Sequence, residues 1–501
     1  MKFLDDLLKQ TVVKNSKGNT HVEIHDVTAD SREVHSGSLF FCLLGAHVDG
    51  HDFVQSAVDK GAVAIVATRF IDVPSHVTVV YVEDMRKAME DMVPYFFDYP
   101  SRKMRMIAVT GTNGKTTTTH MVAHILKHFG YKTGVIGTVH TLIGDKMLPA
   151  HNTTPDVIDL QRILTKMYEA KVTHVCMEVS SHALALGRVI GCEFDTAVFT
   201  NLTEDHLDFH KTMENYAKAK AILFQMVSAT GQYKKNKSAW INGDDSYASV
   251  MADAVQDKQL CPVWTYGLNE SAHFNLVGHN VHFTRNSSNF TLSYNGKAFE
   301  METAIVGRFN VYNSLSAIGA ALSEKVPMPV ILEAMKDFKA VAGRFEMVDE
   351  GQPFTVIVDY AHTPDGLDKI LDTAREITKK RVIVVFGCGG DRDPIKRPIM
   401  GRIAANKGDV VLVTSDNPRT EDPQSIVEEV AGGVMEVAKR KPNLMYELIT
   451  DRHTAIERAI SLAKDGDIVV IAGKGHEDYQ ILKDKTIHFD DREEARAALR
   501  R

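Results

Sequence analysis

The chain has 501 residues, 44% of them hydrophobic and 25% charged, with a formal net charge of -7. That length predicts about three domains with sizeable cores, and an acidic balance without a basic run argues against a general nucleic-acid coat. No apolar run nears the roughly 20 residues that span a bilayer, the acids in the first ten residues do not suit a signal peptide, and five scattered cysteines fit a cytoplasmic protein.

Residues 1–102 read as a first unit. The apolar run after Gly37 predicts a buried strand. Ala57 to Ala62 predicts a helix leading into a strand over Val63–Ala67. Asp84 to Tyr99 reads as a helix broken by Pro94, and Pro100 to Lys103 as a linker. Ser31 and Arg32 suit a phosphate or a uridine, or a simple capped turn; composition leaves both open.

Residues 103–337 read as a nucleotide-binding unit. Met106, Ile107, Ala108 and Val109 predict a buried parallel strand. Gly111-Thr-Asn-Gly-Lys-Thr-Thr117 then turns into a helix whose apolar residues share one face. A glycine turn before a helix aims N–H groups and the helix dipole at an anion. Lys115 would reach the β/γ-phosphates and the Thr116 hydroxyl would hold Mg²⁺. The common P-loop pattern has glycine five residues before Gly114; here that residue is Val109, so the loop is a shortened variant. Further on, Thr153-Thr-Pro155 predicts a turn before a helix over Val157–Ala170.

Thr173 to Val179 predicts another buried strand with Glu178 near its end, where ligands bind in open α/β sheets. Glu178 therefore reads as a metal ligand, or else as a helix-capping acid. Thr203 to His210 holds two histidines and three acids. Its spacing matches no zinc signature, and Mg²⁺ prefers oxygen, so a solvated loop is the alternative reading of His206. Lys218 and Lys220 both sit among alanines and larger apolar residues on the next helix, and the pattern does not rank them. The alternation around Asn295-Gly296 predicts a hairpin with a type I′ turn. Asn310 and Asn313, opening a helix over Ser314–Leu322, suit a base edge or a helix cap, with capping expected for one of them.

Residues 338–501 alternate strands and helices, which predicts a second doubly wound sheet and an α/β protein overall. Four apolar runs begin near Val356, Val382, Val410 and Ile468. Each is followed by a polar or glycine cluster: Ala361–Pro364, Gly387–Asp393, Ser415–Arg419 and Gly473–Glu477. Four such clusters at one sheet edge predict a binding cleft.

Together these residues resemble the Mur ligases, the ATP-dependent amino-acid ligases of peptidoglycan synthesis. The resemblance runs through Thr110–Thr117, Glu178–His182, Asn201 with Asp205–Asp208, Tyr216–Lys220, Gly307 with Phe309–Asn313, and Asp359–His362, in family order. It implies three domains: an N-terminal uridine-binding unit carrying Asp30-Ser-Arg32 and Asp49-Gly-His51, a central ATP-binding unit, and a C-terminal amino-acid-binding unit. It implies ATP bound by Gly111, Thr112, Asn113, Gly114, Lys115, Thr116 and Thr117, with Asn310 at the adenine and Arg344 and Asp359 reaching across a domain gap. It singles out Lys220 as carbamylated by CO₂. Thr116 would hold one Mg²⁺, and Glu178 and His206, with the modified Lys220, a second; Lys115, Lys220 and His206 are the expected catalytic residues.

Ser31, Thr153, Thr154, Ser180 and Arg188 are implied at a UDP-linked muramoyl dipeptide. Asp416-Asn-Pro-Arg419 resembles the motif of members that add meso-2,6-diaminopimelate; Arg392, Asn417, Gly473 and Glu477 would complete that pocket, with Arg419 on the distal carboxylate. A monomer with no nucleic-acid or membrane-spanning partner is expected. The rival readings are lysine addition, a folyl-polyglutamate synthetase, and a P-loop switch that binds a protein.

Overall fold

The computed structural model describes residues 2–45, 48–150, 152–270, 273–284 and 286–501. Its strands form three main sheets in chain order. The first runs Asn15–Lys17, Thr78–Tyr81, Ala62–Ala67, Ser38–Phe41, Asp26–Thr28, and is parallel apart from the outer strand Asn15–Lys17. Leu39, Ile65, Val66 and Val79 are fully buried in its core. One expected helix is displaced and another runs unbroken. Val54–Asp59 is helical instead of Ala57–Ala62, because Gly61 at φ +99° ends the turn and releases Ala62 into the strand. Pro94 lies inside the helix Met85–Phe96 and does not break it; the chain turns away at Asp98 and Tyr99, both at positive φ.

The second sheet has eleven strands. Its parallel centre runs Thr133–Ile136, His174–Glu178, Arg105–Thr110, Thr196–Phe199, Ser238–Asn242, Val263–Gly267, and antiparallel ribbons extend both ends. Arg105–Thr110 sits in the middle because Met106 through Val109 are wholly apolar and wholly buried. Val109 pairs with Glu178 on one side and Val198 on the other, so it belongs to the sheet and not to the glycine loop. The helix Lys115–His128 packs Met121, Val122, Ile125 and Leu126 into one core with Val311, Leu315 and Ile318 of the helix Arg308–Ser323. The expected hairpin joins Ser288–Tyr294 to Lys297–Thr303, with Asn295 and Gly296 both at positive φ. At the opposite end of the strand, Arg105 grips Glu324 through Nε (2.7 Å) and Nη2 (2.9 Å) and also binds Asp195.

The third sheet runs Glu346–Val348, Thr355–Asp359, Ile468–Ala472, Val382–Phe386, Val410–Val413, Met445–Leu448, parallel except at its first strand. Val382, Val384 and Phe386 face one core and Ile383 and Val385 the other, so both faces are covered. The expected helices appear as Pro364–Ile377 and Pro423–Ala438. The whole is a three-domain α/β architecture with mostly parallel sheets. No helix among the described residues is long and apolar enough to cross a membrane.

Candidate active site

The loop after Thr110 is shaped by what surrounds it. Gly111 has φ +154°, and a Cβ there would lie 1.9 Å from Thr200 Oγ1. Gly114 has φ +84°, and a Cβ there would meet Asn313 Oδ1 at 2.2 Å. Asn201 holds the loop from below: its carbonyl accepts from Thr112 N–H (2.8 Å) and its side-chain oxygen from Asn113 N–H (2.9 Å). The helix begins at Lys115 without a side-chain cap, so its first N–H groups and its dipole point into the cleft.

Two lysines converge on one oxygen. Lys115 Nζ donates to the carbonyls of Gly111 (2.9 Å) and Thr112 (2.8 Å), and Lys220 Nζ donates to Gly111 O at 2.7 Å. Lys220 is 1% exposed while Lys218 faces solvent, so the fold ranks what the pattern did not. Its ammonium lies 4.5 Å from the Tyr216 ring centre. Burial, then the charge of Lys115, holds the Lys220 amine well below its ordinary range; burial lowers Lys115 as well.

Glu178, fully buried, ends its strand beside these lysines. Oε2 accepts from the hydroxyls of Thr116 (3.0 Å) and Thr138 (3.1 Å), and Oε1 from Thr138 N–H (2.9 Å). These donors are hydroxyls and an amide, and no ion pair within 4 Å ties up the carboxylate among the described residues. The Thr116 and Glu178 oxygens form the hard donor set that suits Mg²⁺. His206, at φ +55°, lines the same cleft, packed edge-on against His182 with ring centres 4.7 Å apart. Its imidazole is pushed down to about 4, chiefly by burial, which Asp205 opposes and His182 and the two lysines reinforce. Among the described residues no three His, Cys, Asp or Glu side chains are grouped to hold a metal by themselves.

Beside Glu178, Thr154 Oγ1 donates to its carbonyl (2.9 Å) and accepts from Ser180 N–H (3.1 Å), Thr153 Oγ1 lies 3.0 Å from Thr138 Oγ1, and Arg188 reaches Thr154 O (3.3 Å). These four expected substrate residues thus form one patch at the cleft. Ser31 lies in the first domain, in a turn where Asp30 accepts from both Arg32 N–H and its guanidinium. His51 is a fastener there: it is 5% exposed, bonded to Asp49 (2.6 Å), and accepts from Thr68 N–H (3.1 Å).

The cleft, about 870 Å³, is walled by the glycine loop on one side and by Arg344, Asp359, Tyr360 and His362 of the third domain on the other. The Arg344 guanidinium stacks 4.3 Å over Tyr360. Asp359 accepts from Phe345 N–H (2.7 Å) and Ala361 N–H (2.8 Å); burial raises its carboxyl, against the pull of Arg344. Asn310 departs from expectation. It is 2% exposed, inside the first turn of the helix Arg308–Ser323, and its amide bonds Val306 O (2.8 Å). Neither it nor Asn313 caps that helix, and Asn313 is the one that lines the cleft.

Two participants escaped the sequence reading. Asp365 Oδ2 accepts from Asn113 Nδ2 of the glycine loop (2.7 Å), Thr203 Oγ1 (2.9 Å) and Lys369 (2.9 Å), fastening the third domain to the second. From sequence it is an ordinary first-turn acid after Pro364. Lys474 is fully buried, 3.1 Å from Glu477; the only signal was a lysine between two glycines with an acid three residues on.

The expected amino-acid residues gather at the third sheet's carboxyl edge. Asn417 donates to Glu477 (2.8 Å), Arg419 bonds Gly390 O (2.8 Å), and a Cβ on Gly473 would meet Asp416 Oδ2 at 2.6 Å. Arg392 is exposed and bonds Asp391 O (3.0 Å).

Comparison with known proteins follows the same division. Residues 109–321 match the Mur ligase middle domain, residues 343–475 the Mur ligase glutamate ligase domain, and residues 23–96 the Mur ligase family catalytic domain. The UDP-N-acetylmuramoyl-L-alanyl-D-glutamate–2,6-diaminopimelate ligase of Geobacillus kaustophilus is 48% identical over 474 residues, 94% of each chain. Ligase 1 of that name from Clostridium acetobutylicum is 46% identical over 479 residues, 95% of each. A solved structure of a ligase with that name superposes with a TM-score of 0.71 at 31% identity, covering 100% of this chain and 99% of the other.

Proposed function

Since the chain belongs to the Mur ligase family, we propose that it joins meso-2,6-diaminopimelate to UDP-N-acetylmuramoyl-L-alanyl-D-glutamate at the cost of ATP. The observation that carries this reading is the single cleft in which Lys115, Thr116 and Glu178 face Arg344 and Asp359. In this reading residues 1–102 bind the UDP moiety, residues 103–337 the ATP, and residues 338–501 the incoming amino acid.

The substrate's D-glutamyl carboxylate attacks the γ-phosphorus, the bond to the bridging oxygen breaks, and ADP leaves with an acyl phosphate formed. The diamino acid's amine then attacks the acyl carbon; phosphate departs, the amine loses a proton and the amide remains. Lys115 and the N–H groups of the glycine loop neutralise charge on the transferring phosphoryl group. Thr116, Glu178, His206 and a carbamylated Lys220 would hold Mg²⁺, which would supply further positive charge at the phosphates. Closure of the third domain keeps water from the acyl phosphate. Thr153, Thr154, Ser180 and Arg188 orient the muramoyl dipeptide, and Arg419 offers a planar fork to the distal carboxylate that lysine lacks.

The test is phosphate release. It is expected to require ATP, the UDP-linked dipeptide and diaminopimelate together, with lysine a poor replacement. Arg419→Ala is expected to raise the KM for diaminopimelate by roughly 10- to 100-fold while leaving that for ATP alone. Release that needs neither amino acid nor dipeptide, or that prefers lysine, would overturn the assignment.

A further inference from the structure

The strand Ile468–Ala472 ends in Gly473-Lys474-Gly475, with both glycines at positive φ, +122° and +55°. This turn points Lys474 inward. Its side chain is 0% exposed, and its ammonium lies 3.1 Å from Glu477 Oε2, 3.3 Å from Asn417 Oδ1 and 5.4 Å from the Tyr479 ring centre. Asn417 closes the triangle by donating Nδ2 to the same Glu477 oxygen at 2.8 Å, and its Oδ1 also accepts from Ile481 N–H at 2.9 Å. Glu477 Oε2 is thus held twice, and Oε1 has no hydrogen bond among the described residues. A second buried cation of this domain, Arg452, is paired with Asp491.

A wholly buried ammonium is costly unless it is paired and hydrogen-bonded. Here the pairing falls on the two side chains that also face the incoming amino acid in the reading above. Resting on that reading, we propose that Lys474 is a positioning and selectivity residue: it fixes the rotamer of Glu477 and cancels part of its charge, so that the pocket favours a distal ammonium carrying a carboxylate over a bare ammonium.

The chemistry is a matter of net charge. Glu477 alone would attract any side-chain ammonium, lysine's included. With Lys474 against it, a bare ammonium gains little. A distal carboxylate still gains the Arg419 guanidinium, which a bare ammonium cannot use. Selectivity then comes from withholding attraction from the competitor as much as from gripping the right substrate.

The experiment measures steady-state phosphate release with diaminopimelate and with lysine for the wild type, Lys474→Met, Lys474→Arg and the double variant Lys474→Met/Glu477→Gln, which removes both charges at similar volume. Lys474→Met is expected to raise the KM for diaminopimelate, and to lower the diaminopimelate-to-lysine ratio of kcat/KM, each by at least about tenfold, with the KM for ATP unmoved. Lys474→Arg is expected to recover most of the ratio, and the double variant to fold yet lose the preference. Unchanged selectivity in a folded Lys474→Met or double variant overturns the proposal, as does a parallel rise in both KM values. Failure of both variants to fold makes the lysine structural and overturns it too. Wild-type protein that releases no phosphate with diaminopimelate refutes the underlying assignment instead.

Discussion

Lys220 keeps an amine where an ammonium is expensive. It is buried, shares the Gly111 carbonyl with Lys115, and has the Tyr216 ring face and the charge of Asp205 as further electrostatic partners. In the proposed function, carbamylation would turn that liability into an asset: the amine would add to CO₂, a proton would leave, and an anion would replace the cation beside Lys115. Lys220→Ala is expected to cut turnover by at least ~100-fold, with partial rescue by a small carboxylic acid or by raised CO₂ when phosphate release is assayed. Undiminished activity would remove the modification from the account. Neither pattern nor periodicity separates Lys218 from Lys220 in the sequence, because both are flanked by alanine; the difference is which face of the helix Met213–Ser228 turns inward.

At the scale of elements, the P-loop strand is clamped from its far end. Glu324, at the end of the helix Arg308–Ser323, accepts both arms of Arg105, lies 3.6 Å from His174 and takes the Thr196 hydroxyl at 3.1 Å. Burial alone would raise its carboxyl, but His174 and Arg105 override this and hold it down to about 2 from an ordinary 4.5. Because the folded value is depressed, the stabilisation is fully present above about pH 4.5 and is lost as pH falls towards 2. Glu324→Gln is expected to cost about 3 kcal/mol at pH 7 by urea denaturation, and to flatten the stability profile between pH 4.5 and 2. An unaltered acid limb would show that other carboxylates govern it.

Such clamps are illegible in sequence, since Arg105 and Glu324 stand far apart along the chain, whereas the elements they join are plain. Met106 to Val109, the Asn295-Gly296 turn and the four central strands of the third sheet announce themselves through apolar runs and glycine, whereas the short outer strand Glu346–Val348 does not. The strand Met445–Leu448 does not, because an edge strand with half-exposed Tyr446 and Glu447 lacks the apolar run of its neighbours. The cap expected from Asn310 or Asn313 is not formed for a related reason: the helix begins at Arg308 with Gly307 before it, so both asparagines lie inside the helix.

Across the whole molecule, one carboxylate ties the second and third domains by hydrogen bonds, beside apolar contacts such as Phe309 on Phe345. Asp365 belongs to the third domain, yet two of its three partners, Asn113 and Thr203, lie in the second. This bond ties the glycine loop to the third domain. Asp365→Ala is expected to loosen the closed arrangement by about 1–3 kcal/mol. Small-angle X-ray scattering of the nucleotide-free protein would then give a larger radius of gyration than the wild type. An identical radius would mean that the remaining contacts suffice to hold the domains.

The oxygen that gathers Lys115 and Lys220 belongs to the main chain of Gly111, so every allele of this protein carries it. Replacing residue 111 leaves that oxygen in place while crowding Thr200 and straining a backbone at φ +154°. A mutational scan would therefore report steric and backbone strain at position 111 and remain blind to the carbonyl. Only atom-level replacement of the amide, as an ester or thioamide, would expose how much the two amines depend on it.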